Sequence, residues 1–495
     1  MYYLQPKQIP IRVGNRYIAL LNKNTARHLD IRATERLYIK NGSNDAIAII
    51  DISENHDLKD GQIGLYMETW DKLKVVRGDR RVSVSIAERP KSVVYIRNKL
   101  DGKELTANEI DTIVKDIVEE ILSEIELTYF VAACYCRGMS DQETVSLTKS
   151  IVKHGGHLKF KDKIVLDKHC IGGVPNNRST MLAVPIMLSL GLRMPKTSSR
   201  AITSPAGTAD SMEVLANVTN DTKKLMKIAK KVGGFITWGG GVDIAAADDK
   251  LIRVRNPMSL DPQGMLLASI LAKKHAVSAT HVLIDIPYGP DVKVKTPKDA
   301  LPLKKKFETI GSMLGMKIKV IVTDGKQPIG NGVGPILEAI DVIKVLQNKP
   351  DAPQDLLKKT IMLCGVMLEF VGKAKQGEGE KMAMEAITSG KAYKKFQEII
   401  KAQGPTHVPL KPGKITYQVK SYKAGKIYYI NNKLISRYAR LAGAPVNPNA
   451  GLFIHKKIGD VVKKGDVLFT LYSENNDRMK DTLDFLKIED AYKMK

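Results

Sequence analysis

Cysteine is scarce in this sequence: four in 495 residues, at positions 134, 136, 170 and 364. Their spacing matches neither a disulfide framework nor a metal-ligand set, and such usage fits a reducing compartment. Aromatic residues make up only 6% of the chain, and the short lysine runs (LKKKF at 303–307, pairs at 394–395 and 463–464) have none interleaved. That argues against a nucleic-acid-binding face, which needs stacking rings along a basic groove. Long apolar stretches are missing too. The longest, MLAVPIMLSLGL at 181–192, is shorter than the ~20 residues of a membrane helix, and the opening MYYLQPKQIPIRVGN has no signal-type apolar core. The expectation is a cytoplasmic protein with neither a membrane nor a nucleic-acid partner. Acidic residues are in deficit: 53 of them face 78 Lys and Arg, leaving a net charge of +25. Spread along the chain, as here, that excess reads as a Lys-rich solvated surface; gathered locally, it would suit polyanions or phosphorylated small molecules.

What is present suffices for a large core, with 43% apolar residues over a length of roughly three domains. Residues 1–86 hold short β-type runs (YIAL, RLYIKNG, AIAIIDI, QIGLYM, VSVSI) broken by Asn, Gly and Asp turns, which predicts a small β barrel. From 105 the period changes. Ile110, Ile113, Val114, Ile117, Ile121 and Ile125 recur at helical spacing, with capping boxes at Thr106/Glu109 and Ser140/Glu143. An α-helical lobe over 87–160, completed by about 245–290, is expected. After 161 strands and helices alternate to about 410, as in an α/β domain, and 411–495 returns to β signals with helices, an α+β domain. Its phrase GDVVKKGDVLFTL resembles the hairpin of biotinyl carriers, but the comparable turn, PVNPNAG, lacks the lysine a carrier modifies. A structural turn is the expectation there.

Two stretches concentrate chemistry. In DKHCIGGVPNNRST (167–180) a strand ends in a Gly-rich loop that feeds a helix. Glycines let the backbone approach an anion, and the amides of the helix start point at it. Lys168 adds a point charge, His169 a possible proton carrier, and Ser179 with Thr180 can donate to phosphate or merely cap the helix. The spacing is neither a P-loop nor GxGxxG. An ordinary strand–helix turn explains the pattern about as well as a phosphate loop. The second stretch, KTSSRAITSPAGTAD (196–210), carries six hydroxyls and Arg200 ahead of another helix, more than one cap requires. Successive loops of a parallel sheet converge at the carboxyl ends of the strands, where ligands bind. Together they read as a shared oxyanion site.

The same two stretches resemble the thymidine and pyrimidine-nucleoside phosphorylase family. Lys168-His169-Cys170-Ile171-Gly172-Gly173 is similar to that family's Lys-His-Ser-x-Gly-Gly loop, and Ser198, Arg200, Gly207, Thr208, Asp210 and Glu213 match its second signature. LDPQGMLLASILAKK (260–274) and DGKQPIGNGVGPILEA (324–339) follow in the family's order. The chain departs at Cys170, where the family has a phosphate-binding serine, and at SRAITS, where it has a Gly-rich run. The N-terminal 1–86 is extra. These departures resemble the archaeal branch that acts on nucleoside 5′-monophosphates.

The resemblance implies a small all-α lobe and a large mixed α/β lobe with a ligand cleft between them, beside the extra N-terminal β domain and the C-terminal α+β domain. It implies phosphorolysis of AMP, and also CMP and UMP, to free base and ribose 1,5-bisphosphate. Phosphate is then a cosubstrate, no cofactor or metal is needed, and the chain is a homodimer or larger homo-oligomer. A nucleotide phosphorylase must hold two phosphates, which the second loop would help to do. By the same resemblance Gly173, Ser199, Arg200, Ala201, Ile202, Thr203, Ser204, Thr208, Ser269 and Lys293 contact nucleotide or phosphate, and Asp261 is the proton donor. Lys168, His169, Ser179, Ser198 and Lys273 are further contacts. As a donor near neutral pH, Asp261 must be desolvated or set beside a like charge; as a plain alternative it caps the helix that follows. Gly233–Gly234 and Gly239–Gly241 are expected hinges. The rival activity is a thymidine or pyrimidine-nucleoside phosphorylase giving a (deoxy)ribose 1-phosphate. An anthranilate phosphoribosyltransferase would need paired acidic residues for magnesium in the loops, and none is seen. A nucleic-acid-binding protein built on the basic barrel is the rival from another class.

Overall fold

The computed structural model describes the chain except residues 15, 55–57, 77, 79–80, 202–203, 243, 245, 259 and 488, and the side chain of 242. It divides into two compact units, Met1–Ser150 with Ala247–Met265, and Ile151–Ala246 with Leu266–Lys495. No helix among the described residues is long and apolar enough to cross a membrane.

The first unit opens with a closed barrel of strands β1 (Tyr2–Ile9), β2 (Ile18–Asn22), β3 (Arg36–Asn41), β4 (Asn44–Ser53), β5 (Gln62–Tyr66) and β6 (Val82–Ile86), in the order β1-β5-β2-β4-β3-β6. Alternation builds it: Ala46, Ala48 and Ile50 point inward from β4 and meet Leu37, Ile39, Ile63, Leu65, Val82 and Val84. β1 is not expected from the sequence, because Pro6 breaks its run. It nevertheless pairs parallel with β5 and antiparallel with β6 and so closes the barrel. Helices Lys91–Leu100, Ala107–Val118, Glu124–Arg137 and Asp141–Lys153 follow. The apolar repeat after 105 is thus a helix pair, each member opened by a capping box, Thr106/Glu109 and Ser123/Glu126. Glu143 also accepts the buried Lys99 ammonium at 2.7 Å.

The second unit is built on a parallel sheet of β7 (Leu166–Cys170), β8 (Met194–Ser198), β9 (Gly234–Trp238), β10 (His281–Tyr288) and β11 (Lys317–Asp324). β11-β10-β7 form one ladder and β8-β9 another, joined by a parallel bridge between Val165 and Arg193. The chain steps outward from β7 through β8 to β9, then returns to the other side of β7 with β10. β7 therefore sits where the strand order reverses, the position at which such sheets open a ligand crevice. Because β10 lies in this sheet between β7 and β11, residues 266–290 group with this unit, whereas the sequence pattern assigns 245–290 to the helical lobe; only 247–265 completes it. The glycine pair 233–234 meets a packing demand: Gly233 takes φ +95° at a helix end, and a Cβ on Gly234 would lie 2.3 Å from the Met194 carbonyl oxygen. Residues 411–495 join the same unit. The Gly-rich motif at 324–339 adds Gly332–Val333 as an edge strand beside Gly451–Ile454.

Candidate oxyanion site

The first loop begins where β7 ends. Gly172 and Gly173 both take φ +96°, a conformation that favours glycine, and a Cβ on Gly173 would lie 3.0 Å from Val292 Cα. Gly173 is thereby pressed against the segment after β10 that carries Lys293, which is exposed. Lys168 is fully buried, and its Nζ donates to Ser179 Oγ at 2.5 Å and to Thr180 Oγ1 at 3.4 Å, both in the helix Ser179–Ser189. Ser179 in turn donates to Asn177 Oδ1 at 2.8 Å. Asn177 donates to Cys170 Sγ at 3.1 Å and to Asp285 Oδ2 at 3.4 Å. Asp285 also accepts Thr323 Oγ1 at 2.6 Å and pairs with Lys359 at 3.0 Å.

A second charged cluster lies beside it. Asp167 meets Lys196 Nζ of β8 at 3.1 Å and Lys274 Nζ of the helix Gln263–His275 at 2.8 Å, all three buried. Two ammonium groups thus share one carboxylate. Burial lowers Lys196 to about 7, against the pull of Asp167 and with the help of Lys274. Burial and the surrounding lysines, Lys274 foremost, hold His169 well below the ordinary histidine range. His169 is therefore held as a neutral imidazole at neutral pH. Burial pushes the Cys170 thiol up to about 11, with Asp285 adding to it. Cys170 is accordingly a thiol, in keeping with no nucleophilic role.

The second loop folds around Asp210. One of its carboxylate oxygens accepts the amides of Ala201 and Gly207, each at 2.7 Å, and the other accepts Arg200 at 3.2 Å. Gly207 is needed for the closure, since a Cβ there would lie 2.5 Å from the Ser199 carbonyl oxygen. Arg200 is also forked onto Glu213, at 2.7 Å for one nitrogen, and lies over the Trp238 ring at 4.7 Å. The resemblance makes Arg200 and Ala201 ligand contacts. Here the guanidinium NH1 and NH2 and the Ala201 amide hold the loop, because two carboxylates share the arginine and one of them also takes the amide. Ser204 donates to the Ala206 carbonyl at 2.6 Å. Ser198 is half-buried and Ser199 exposed at the end of β8. Ile202 and Thr203 lie outside the described residues.

Ser269 is buried and accepts Lys273 Nζ from one helical turn away at 3.1 Å. Asp261 belongs to the other unit. It is exposed, 3.6 Å from Arg255 NH1, and precedes the helix that starts at Gln263. Those are not the desolvated surroundings that the acid role requires.

Several residues now stand out that sequence reasoning does not assign. Arg178, at the end of the first loop, donates from Nε to Glu338, from NH2 to the Ala206 carbonyl and from NH1 to Thr208 Oγ1 at 3.3 Å. It thus ties the two loops together. Lys196 could have been noticed as a lysine inside a strand of otherwise apolar and small residues; Glu338, 160 positions from Arg178, gives no signal.

Comparison with known proteins bears on this arrangement. Family models match at residues 93–155 (glycosyl transferase family, helical bundle domain), 162–255 (glycosyl transferase family, a/b domain) and 426–494 (pyrimidine nucleoside phosphorylase C-terminal domain). The chain is 41% identical to the AMP phosphorylase of Methanococcoides burtonii over 97% of its own length and 95% of that protein's. It is 39% identical to that of Methanococcus vannielii over 98% and 96%. A protein of Legionella pneumophila (strain Paris) named putative thymidine phosphorylase is 41% identical over 91% of this chain and 87% of its own. Among solved structures, anthranilate phosphoribosyltransferase from Thermus thermophilus superposes with a TM-score of 0.53 at 17% identity, over 62% of this chain and 98% of that one. That likeness shows a common fold. At 39–41% identity over nearly its whole length, the chain belongs to the family of AMP and thymidine phosphorylases.

Proposed function

We propose that the protein is a pentosyltransferase that phosphorolyses AMP, and also CMP and UMP. Inorganic phosphate attacks C1′, the bond from C1′ to the base nitrogen breaks, and free base and ribose 1,5-bisphosphate leave. The observation that carries this reading is the buried charge at the strand ends. Among the described residues, Lys168, Lys196, Lys274 and Lys359 stand around only two carboxylates, Asp167 and Asp285. Uncompensated buried charge is costly, so an ammonium that Asp167 and Asp285 do not meet must lose its proton, as Lys196 does near pH 7, or find an anion, and a phosphate dianion would let these lysines keep their charge.

The loops divide the work. Gly172 and Gly173 are proposed to admit the anion, with Lys168 and Thr208 as its proposed donors. Ser269, Lys273 and Lys293 are proposed to contact the nucleotide, as are Ser198, Ser199 and Ser204. Fixed donors stabilise the charge that develops on phosphate and sugar as the bond breaks. The departing base needs a proton, and Asp261 is the proposed source. For that role the bound substrate must cover the carboxyl, which is exposed in the free chain. Phosphate is itself the nucleophile, so the chemistry needs no cofactor.

The rival, a nucleoside phosphorylase, is favoured by the name of the Legionella relative. The N-terminal barrel cannot decide between the two. That relative aligns over 452 residues, more than the 409 left when 1–86 are subtracted from 495, so it shares part of that region. The test is release of free base by the purified protein with phosphate and either AMP, adenosine or thymidine. Release from AMP with little from the nucleosides supports the proposal. Release from thymidine and not from AMP overturns it.

A further inference from the structure

The function proposed above leaves Arg178 unused, although it lies inside the first loop. All three of its guanidinium nitrogens are engaged within the protein, and its side chain is almost fully buried. It is therefore placed as a cross-link and not as a phosphate ligand. Nε is held by Glu338, which is fully buried on the helix Pro335–Leu346 and also accepts Ser211 Oγ at 2.8 Å and the Gly334 amide at 3.3 Å. The other two nitrogens reach the second loop at Ala206 and Thr208.

The bond to Thr208 has a directional consequence. A guanidinium can only donate, so Thr208 Oγ1 must accept from it. The one hydroxyl hydrogen is then left to donate elsewhere. A hydroxyl that already accepts from a cation is polarised and is the stronger donor for it. The neighbouring residues brace this geometry. Asn176 donates to buried Asp341 at 2.6 Å, and Asn177 reaches Asp285, so three consecutive residues dock on three buried carboxylates, two on the helix Pro335–Leu346 and one on β10.

We propose that Arg178, held by Glu338, is a positioning residue that orients the Thr208 hydroxyl as a donor to a phosphate and couples the two loops into one oxyanion site. The inference rests on the phosphorylase reading for its ligand, and on geometry alone for the coupling.

The experiment is a double-mutant cycle with Arg178→Lys and Thr208→Val. Affinity for inorganic phosphate and for AMP is measured by titration calorimetry on the full chain, and KM and kcat by base release. Lysine keeps the charge but lacks the planar fork that spreads donors from three nitrogens to these separate acceptors. Thr208→Val should weaken phosphate or AMP about tenfold or more, the worth of a hydrogen bond to an anion. Arg178→Lys should weaken the same ligand comparably, and the double variant should be no weaker than Thr208→Val alone. Losses that multiply would overturn the proposal, as would a Thr208→Val protein that binds both ligands normally. Should Arg178→Lys not fold, Glu338→Gln takes its place, leaving the fork intact but removing the charge that holds it. Wild type that binds phosphate yet releases no base from AMP would refute the substrate reading, while the cycle, read on phosphate affinity, would still decide the coupling.

Discussion

Replacing Lys196 by methionine probes the buried cluster directly. Lys196 and Lys274 share Asp167 at 3.1 and 2.8 Å, and burial lowers Lys196 from the ordinary 10.5 to about 7. The unfolded chain keeps that proton up to about pH 10.5, whereas the folded chain sheds it near pH 7. Between those values the unfolded state binds more protons, so this group makes stability rise with pH. The slope is about 1.4 kcal/mol per pH unit, and the whole window is worth at most about 5 kcal/mol. Below about pH 7 both states are protonated and the full cost of the second buried ammonium is present. Methionine has a similar length and does not titrate. The stability of Lys196→Met minus that of wild type should therefore be most favourable near pH 6 and fall steadily toward pH 10, by about 2–5 kcal/mol in all. Denaturant unfolding of both proteins across that range, in phosphate-free buffer, gives the difference directly. Saturating phosphate should flatten the wild-type slope, because a bound dianion lets Lys196 keep its proton. A difference that does not change with pH would show that Lys196 is not the group that sheds a proton on folding. The charge argument for an anion at this place would then lose its footing.

Asp261→Asn should retain AMP binding by calorimetry while base release falls about 100-fold or more, the usual worth of a general acid; unchanged turnover would remove Asp261 from the acid role. Gly173→Ala should cost about 1–3 kcal/mol of stability and raise KM for phosphate, since φ is +96° and the added carbon would crowd Val292; thermal melts and phosphate-dependent rates check both. Cys170→Ser should leave turnover within roughly twofold, and iodoacetamide should not label Cys170 near neutral pH, because the thiol is held at about 11 and its place is structural; rapid labelling followed on the intact mass would contradict that.

Much of the fold is legible where one local signal decides the outcome. The capping boxes at Thr106 and Ser140 form as read, with the Glu143 carboxylate accepting from both the Ser140 amide and Lys99. The alternation in AIAIIDI gives an inward face for β4. β1 escapes notice because its proline argues against a strand locally, while its pairing to β5 and β6 is a long-range fact. The boundary near 266 is missed for a similar reason. Periodicity marks 263–275 as a helix, but only the sheet order reveals that β10 must follow it into the other unit.

Within the site, residue type is a weaker guide than residue company. Arg200 and Arg178 look alike in the sequence, each a lone arginine among hydroxyls. Arg200 is neutralised by Asp210 and Glu213. Arg178 is fixed by Glu338 and turned to serve Thr208. Both are engaged by carboxylates within the protein, and nothing short of the folded partners could say so. The reverse error concerns lysine. A net charge of +25 spread along the chain reads as surface solubility, and most of its lysines are exposed. Yet Lys168, Lys196, Lys274 and Lys359 are buried around two carboxylates, each 9% exposed or less. An exposed lysine makes no demand on its surroundings, since water meets its charge. A buried one must find an anion or lose its proton, and Asp167 and Asp285 are too few to meet four. What the charge total could not reveal is therefore the excess of buried lysines at the strand ends, on which the proposed phosphate site rests.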